Sequence, residues 1–105
     1  MSEQRKNPRK IFKVKAVLAM DGQPPMPGRT CDIGSDGVSV TVPHPLQTGQ
    51  TGQVVFDLLI DGKPVPVQAR CKATYCLLSS GDFKVGFQFL TLDPNAVSQI
   101  ARFMR

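Results

Sequence analysis

The sequence predicts an all-β domain closed by one C-terminal helix, with six strands forming an antiparallel β-barrel. Three observations lead there. Apolar residues alternate with polar ones over most of the chain, as in VSVTV and FKVGFQFL, the period of a half-buried strand. Nine glycines and nine prolines in 105 residues break these runs at regular intervals. Only the last dozen residues carry a helical period.

FKVKA alternates apolar and basic residues and runs on through VLAM, a first strand near residues 11–20. DGQPPMPG is a loop, RTCDI a short second strand and GSDG a turn. VSVTV is the third strand, with Val38, Val40 and Val42 on one face. QVVFDLLI and VPVQARCKATYCLL are a hairpin joined by the turn DGKP, and Pro64 and Pro66 place the start of the fifth strand at an edge. The sixth strand sets Phe83, Val85, Phe87 and Phe89 on one face, which reads as core. Leu92, Asp93 and Pro94 then read as N′, N-cap and N1 of a helix at about 93–105. Val97 stands where a hydrophobic staple to Leu92 belongs, and Val97, Ile100, Ala101 and Met104 form the expected apolar stripe.

Length and a 41% hydrophobic content fit one compact domain. No apolar run approaches the roughly 18 residues that span a bilayer, and the N-terminus lacks the apolar segment of a signal peptide. The expectation is a cytoplasmic protein without membrane insertion. Cys31, Cys71 and Cys76 are an odd number, which argues against a disulfide framework. On one regular strand Cys71 and Cys76, five residues apart, point to opposite faces and cannot share a metal. His44, between two prolines, has no ligand partner at recognisable spacing, so no metal site is expected.

The net charge of +5 is concentrated at one end. Residues 1–15 hold six basic side chains against Glu3, while the other ninety hold seven basic and seven acidic residues, which cancel. The chain divides into a basic arm, residues 1–10, and a barrel with its helix, residues 11–105. Within the arm, Pro8 stiffens the link between Arg5 and Arg9 and biases Asn7 to extended geometry. Guanidinium groups so held suit phosphate forks and purine edges. DIGSDG has the residues of an ordinary β-turn; the functional alternative is that Asp32 accepts hydrogen bonds from a base edge while the glycines beside Ser35 and Asp36 permit close approach of a ligand to the backbone.

R-K-N-P-R from Arg5 to Arg9, at the head of a first strand and followed by D-I-G-S-D-G from Asp32 to Gly37, resembles the PilZ domain family. Its signature is R-x-x-x-R and then D/N-x-S-x-x-G. The resemblance covers essentially the whole chain and implies a bacterial receptor for cyclic di-GMP, without a prosthetic group, acting in motility, biofilm or exopolysaccharide control through a downstream protein. It implies that Arg5 and Arg9 bind phosphates and guanine edges and stack on the bases. It further implies that Asp32 hydrogen-bonds guanine and that Gly37 is the closing glycine. Gly34 stands where the family has serine, and Ser35, one residue on, is the candidate to replace that hydroxyl.

The chemistry of such a ligand matches these residue types. Guanine offers O6 and N7 to an arginine and its N1–H and N2–H₂ to a carboxylate, and arginine can lie flat on a purine. Lys6 and Lys10 add salt-sensitive attraction. Without ligand the arm to about Lys10, outside the strands, is expected to be mobile; with ligand it becomes a fixed surface that a partner reads. Two other classes compete. One is a small basic barrel binding single-stranded nucleic acid through Phe83, Phe87 and Phe89, which their core-like pattern argues against. The other is a PilZ-like interaction module of pilus or motility machinery that binds no nucleotide. The sequence holds no nucleophile–base pair, phosphate loop or metal cluster that would mark an enzyme, and no catalytic residue is expected.

Overall fold

The computed structural model describes residues 8–105, so Arg5, Lys6 and the rest of the arm before Pro8 lie outside the described residues. The elements are β1 (Arg9–Ile11), β2 (Lys15–Met20), β3 (Met26–Gly34), β4 (Gly37–Val42), β5 (Thr51–Ile60), β6 (Lys63–Ser79), β7 (Asp82–Thr91) and α1 (Pro94–Met104). All strand pairs are antiparallel. Six strands close a ring in the order β3-β2-β5-β6-β7-β4, with β4 pairing back to β3. The predicted barrel is therefore the observed one.

The predicted first strand is split. β2 pairs with the first half of β3, from Met26 to Arg29, while β1 pairs with its end, Arg9 opposite Gly34 and Ile11 opposite Asp32. Between them, the buried Thr30 hydroxyl accepts from Val14 N and donates to Phe12 O, both at 2.9 Å. A side chain thus takes over ladder bonds that the backbone gives up at the break. Arg9 and Lys10 consequently belong to a strand, which corrects the expectation of an arm free of the strands as far as Lys10.

Alternation fills the interior. Leu18, Val38, Val40, Val42, Val54, Leu58, Val67 and Val85 are fully buried. Each such side chain contributes about 1.5–3 kcal/mol relative to exposure. Val85 and Phe87 are buried, and Phe83 and Phe89 pack against the same core, so none of them is free to stack on a base. Two hairpins turn on residue pairs with positive φ, Asp61-Gly62 (53° and 76°) and Ser80-Gly81 (51° and 86°), the backbone of type I′ turns. Residues 63–69 of β6 pair only with β5, which leaves Pro64 and Pro66 on a strand edge as expected.

The helix begins where the sequence indicates, with Asp93 Oδ1 accepting from Ala96 N at 2.7 Å and Pro94 at the first position. Its apolar stripe is rotated. Ala96 and Ile100 are buried and Phe103 and Met104 pack on the core, whereas Val97 is 51% exposed and Ala101 is exposed. The two stripes share Ile100 and Met104, and the larger payload decides between them. Phe103 meets Phe12 with ring centroids 5.4 Å apart, and Phe12 meets Phe56 at 5.8 Å.

Cys71 and Cys76 also differ from expectation. β6 carries an irregularity between Ala73 and Tyr75, after which Cys76 lies opposite the buried Val85 and packs on the same core as Cys71. Among the described residues no group of three or more His, Cys, Asp or Glu side chains could hold a metal, and no helix is long and apolar enough to cross a membrane. His44 is exposed in the loop between β4 and β5. Burial pushes the Cys71 thiol up to about 12, so it stays protonated and unreactive well above neutral pH. Alkylation of the native protein at about pH 8 should therefore label Cys31 and Cys76, both half-buried, and spare Cys71 until the chain is unfolded. Mass spectrometry of the labelled peptides reads this, and native labelling of Cys71 at the rate of Cys31 would contradict the packing.

Candidate ligand-binding site

Asp32 and Gly37 flank a two-residue connection, Ser35-Asp36, between β3 and β4. The register places an extra residue, Cys31, in β3 between Thr30 opposite Val40 and Asp32 opposite Ser39. This bulge keeps Thr30 and Ile33 in the core and sends Asp32 to the outer face. Cross-strand neighbours then form a row on that face: Ile11, Asp32, Ser39, Gly86 and Tyr75. Beside it lie Arg9, Gly34, Gly37 and Gln88.

Arg9 and Asp32 face each other across β1 and β3. Arg9 Nε donates to Asp32 Oδ1 at 2.9 Å, Arg9 Nη2 lies 2.8 Å from the same oxygen, and the buried Ser39 hydroxyl donates to it at 3.0 Å. Arg9 Nη2 also reaches Gly37 O at 3.4 Å, and Nη1 lies 3.7 Å from Asp36 Oδ1. All three groups converge on Oδ1, so among the described residues Oδ2 of Asp32 keeps its acceptor capacity. The pair is only partly shielded, with 37% of the Arg9 side chain exposed, and contributes at most about 1 kcal/mol to stability.

A cleft of about 350 Å³ opens beside this pair, lined by Arg9, Asp36, Gly37, Thr74, Tyr75 and Gln88 among others. Its floor is backbone. A methyl group on Gly37 would lie 2.2 Å from Phe87 O, and one on Gly86 would lie 2.0 Å from the ring of Tyr75, which is laid across that glycine. The glycines thus let Phe87 O and the Tyr75 ring close in on the strands, which sets the aromatic ring at one side of the cleft. Thr74 donates to Gly86 O at 3.1 Å, fixing the bulge from which Tyr75 projects.

Of the predicted site residues, Arg9, Asp32, Gly34 and Gly37 come together. Ser35 is exposed in the turn and makes no hydrogen bond among the described residues; Arg5 and Lys6 lie outside them. Lys10 points away, its ammonium donating to Phe103 O at 2.9 Å and lying 4.5 Å from the Phe103 ring centre. The sequence reading missed Ser39, Thr74, Tyr75, Gly86 and Gln88. A signal existed for one of them: a glycine inside the strand FKVGFQF marks a close approach.

The family model for the PilZ domain matches residues 3–105. The chain belongs to the PilZ domain family. No curated protein matches it at a significant level. Among solved structures, this PilZ domain is similar to the inhibitor of motility (MotI/DgrA) of Bacillus subtilis, with TM-score 0.81 and 10% identity over 93% of this chain and 48% of that one. It is also similar to YcgR from Escherichia coli in complex with c-di-GMP, with TM-score 0.78 and 14% identity over 97% of this chain and 45% of that one. The chain thus spans about half the length of both. The PilZ domain of YcgR with c-di-GMP aligns at TM-score 0.67 and 14% identity, covering 95% of this chain and 88% of that domain. At these identities the likeness is one of fold.

Gly37 should be the most sensitive position of the PilZ site. Its φ is not in the left-handed region, so the constraint is space alone. Gly37→Ala forces β4 away from the Phe87 carbonyl and should cost about 2 kcal/mol or more, read as a lower urea midpoint. An unchanged midpoint would mean that the two strands are not in contact there.

Proposed function

We propose that this PilZ domain is a receptor for cyclic di-GMP that signals to a partner protein and catalyses no reaction. The observation that carries the reading is the convergence of Arg9 and Ser39 on one oxygen of Asp32, which leaves the other oxygen as an acceptor and the Arg9 side chain 37% exposed beside the cleft. A guanine N1–H and N2–H₂ edge fits the open carboxylate oxygen, and O6, N7 or a phosphate fits the guanidinium. Tyr75 supplies a ring on which a base stacks, an interaction of roughly 1–3 kcal/mol. Arg5 and Lys6, a few residues upstream of Arg9, supply further charge for the second phosphate and base. Two structures of similar fold, both of YcgR with c-di-GMP, support the ligand, and a third, of an inhibitor of motility, supports a role in motility control.

Binding draws the arm onto the barrel. Arg9 lies in β1, the arm before Pro8 lies outside the described residues, and the arm, ligand edge and barrel rim together make the surface that a partner reads. Arg9→Ala removes a charged donor worth about 1.5–3 kcal/mol and should weaken binding of cyclic di-GMP tenfold or more while leaving the urea midpoint nearly unchanged. Calorimetry with cyclic di-GMP, GTP and an oligonucleotide in parallel checks this. An Arg9→Ala protein that binds as tightly as the wild type would sink the assignment.

Gly34 supplies a second test. Its φ is ordinary, and a Cβ there would lie 3.1 Å from Pro8 O and 3.3 Å from Arg9 Nη1, contacts that a shift of a few tenths of an ångström relieves. Gly34→Ser should therefore fold normally and tighten binding by roughly 0.5–1.5 kcal/mol, two- to tenfold, by restoring the family hydroxyl. Weaker binding by the folded variant would show that the close approach of the arm matters more than the hydroxyl.

A further inference from the structure

The outer face that carries the cleft continues into a second row. Lys15 pairs with Arg29, Arg29 with Thr41, Thr41 with Lys84, and Lys84 with Leu77. Five adjacent strands therefore present these side chains side by side, over roughly 20 Å at the usual strand spacing. Lys15 and Arg29 are exposed, Lys84 is half-buried, and exposed Lys13 precedes them in the break between β1 and β2. Among the described residues none of the four is ion-paired with an acid. Like charges directly opposite each other, as Lys15 and Arg29 are, destabilise a sheet unless an anion lies over them.

Two more features bear on what that anion is. A groove of about 420 Å³ crosses the row at Arg29 and Thr41, with Lys13, Gly28 and Cys31 also in its lining and Asp82 its one carboxylate. The row ends on Leu77, 57% exposed, beside Leu78, 73% exposed. We propose that this row is a docking surface for an extended acidic segment of a partner protein that also carries aliphatic side chains. An extended chain laid across the strands repeats a side chain on one face every ~7 Å against ~4.8 Å between neighbouring strands, and the long lysine and arginine side chains span that difference, so carboxylates can meet the cations at Lys15, Arg29 and Lys84 while an aliphatic residue covers Leu77. A nucleic acid strand wants aromatic platforms, and the row has none; the tyrosine of this face belongs to the cleft one row away. The row stands apart from the Arg9–Asp32 pair, and the proposal does not depend on the identity of the ligand bound there.

The test is a titration of nitrogen-15-labelled protein with three probes: a short peptide alternating glutamate and leucine, its glutamine–leucine counterpart, and a thymidine oligonucleotide. The glutamate peptide should shift the amides of residues 13–15, 29–31, 41, 77 and 84, with affinity falling about fivefold between about 50 and about 300 mM salt. Arg29→Glu combined with Lys84→Glu should weaken that peptide about tenfold while the spectrum remains that of the folded barrel. Should the double variant unfold, Lys15→Gln, fully at the surface, should still weaken the peptide about threefold. Shifts confined to other strands, equal binding by the glutamine peptide, a folded charge-reversed protein that binds unchanged, or tighter occupation of the row by the oligonucleotide would each overturn the proposal.

Discussion

The site depends on two extra residues, one in each of two strands. In a regular strand, side chains alternate, and Thr30 facing inward would put Asp32 in the core and Ile33 in water. The bulge at Cys31 reverses that parity, so Ile33 is buried and Asp32 meets Arg9 outside. In β6 the irregularity at Thr74 does the same: Ala73 faces in, and Tyr75, which strict alternation would bury, lies on the outer face over Gly86. An unpaired carboxylate inside a barrel would cost several kcal/mol, so the first bulge is a condition of folding as well as of function.

Once Asp32 is outside, it organises the arm. Arg9 leans on it and, through Gly37 O, on the start of β4. The next side chain along, Lys10, points the other way and caps the C-terminal end of α1 through Phe103 O, where a cation is favoured by the helix dipole. Phe103 in turn packs on Phe12, just past the strand. A three-residue strand therefore joins the ligand cleft to the end of the closing helix, through one ion pair, one capping bond and one aromatic contact. Each is individually weak, so β1 is held firmly enough to define the site and loosely enough to respond to it.

The difference between what could and could not be read from the chain follows from these same features. Period-two alternation, the DG turn at Asp61-Gly62 and the Asp93-Pro94 cap are local patterns, and they located six strand regions and the helix within a few residues. The signature residues Arg9, Asp32 and Gly37 were legible because two short motifs sit at either end of one strand pair. A bulge has no local signature, so alternation puts Cys76 on the face opposite Cys71 and gives no reason to single out Tyr75, which lines the cleft. The helix stripe was rotated because Val97 and Ala101 satisfy the period as well as Ala96 and Phe103 do, and only the position of Phe12 chooses between them. Lys13, Lys15, Arg29 and Lys84 lie on four different segments, and nothing short of the strand register brings them into one row.

Gly34 gains a physical meaning from the same geometry. Against the family signature it is a missing hydroxyl. On β3 it is the position directly opposite Arg9, where a side chain would press on Pro8 O and on the guanidinium itself. The bare backbone lets the arm pair closely with β3 and holds Arg9 against Asp32, which pre-organises one contact for a ligand while forgoing another. In the proposed binding mode the exchange is between a hydroxyl at position 34 and a guanidinium held against Asp32, and both options draw on the same few ångströms between β1 and the turn at Ser35-Asp36.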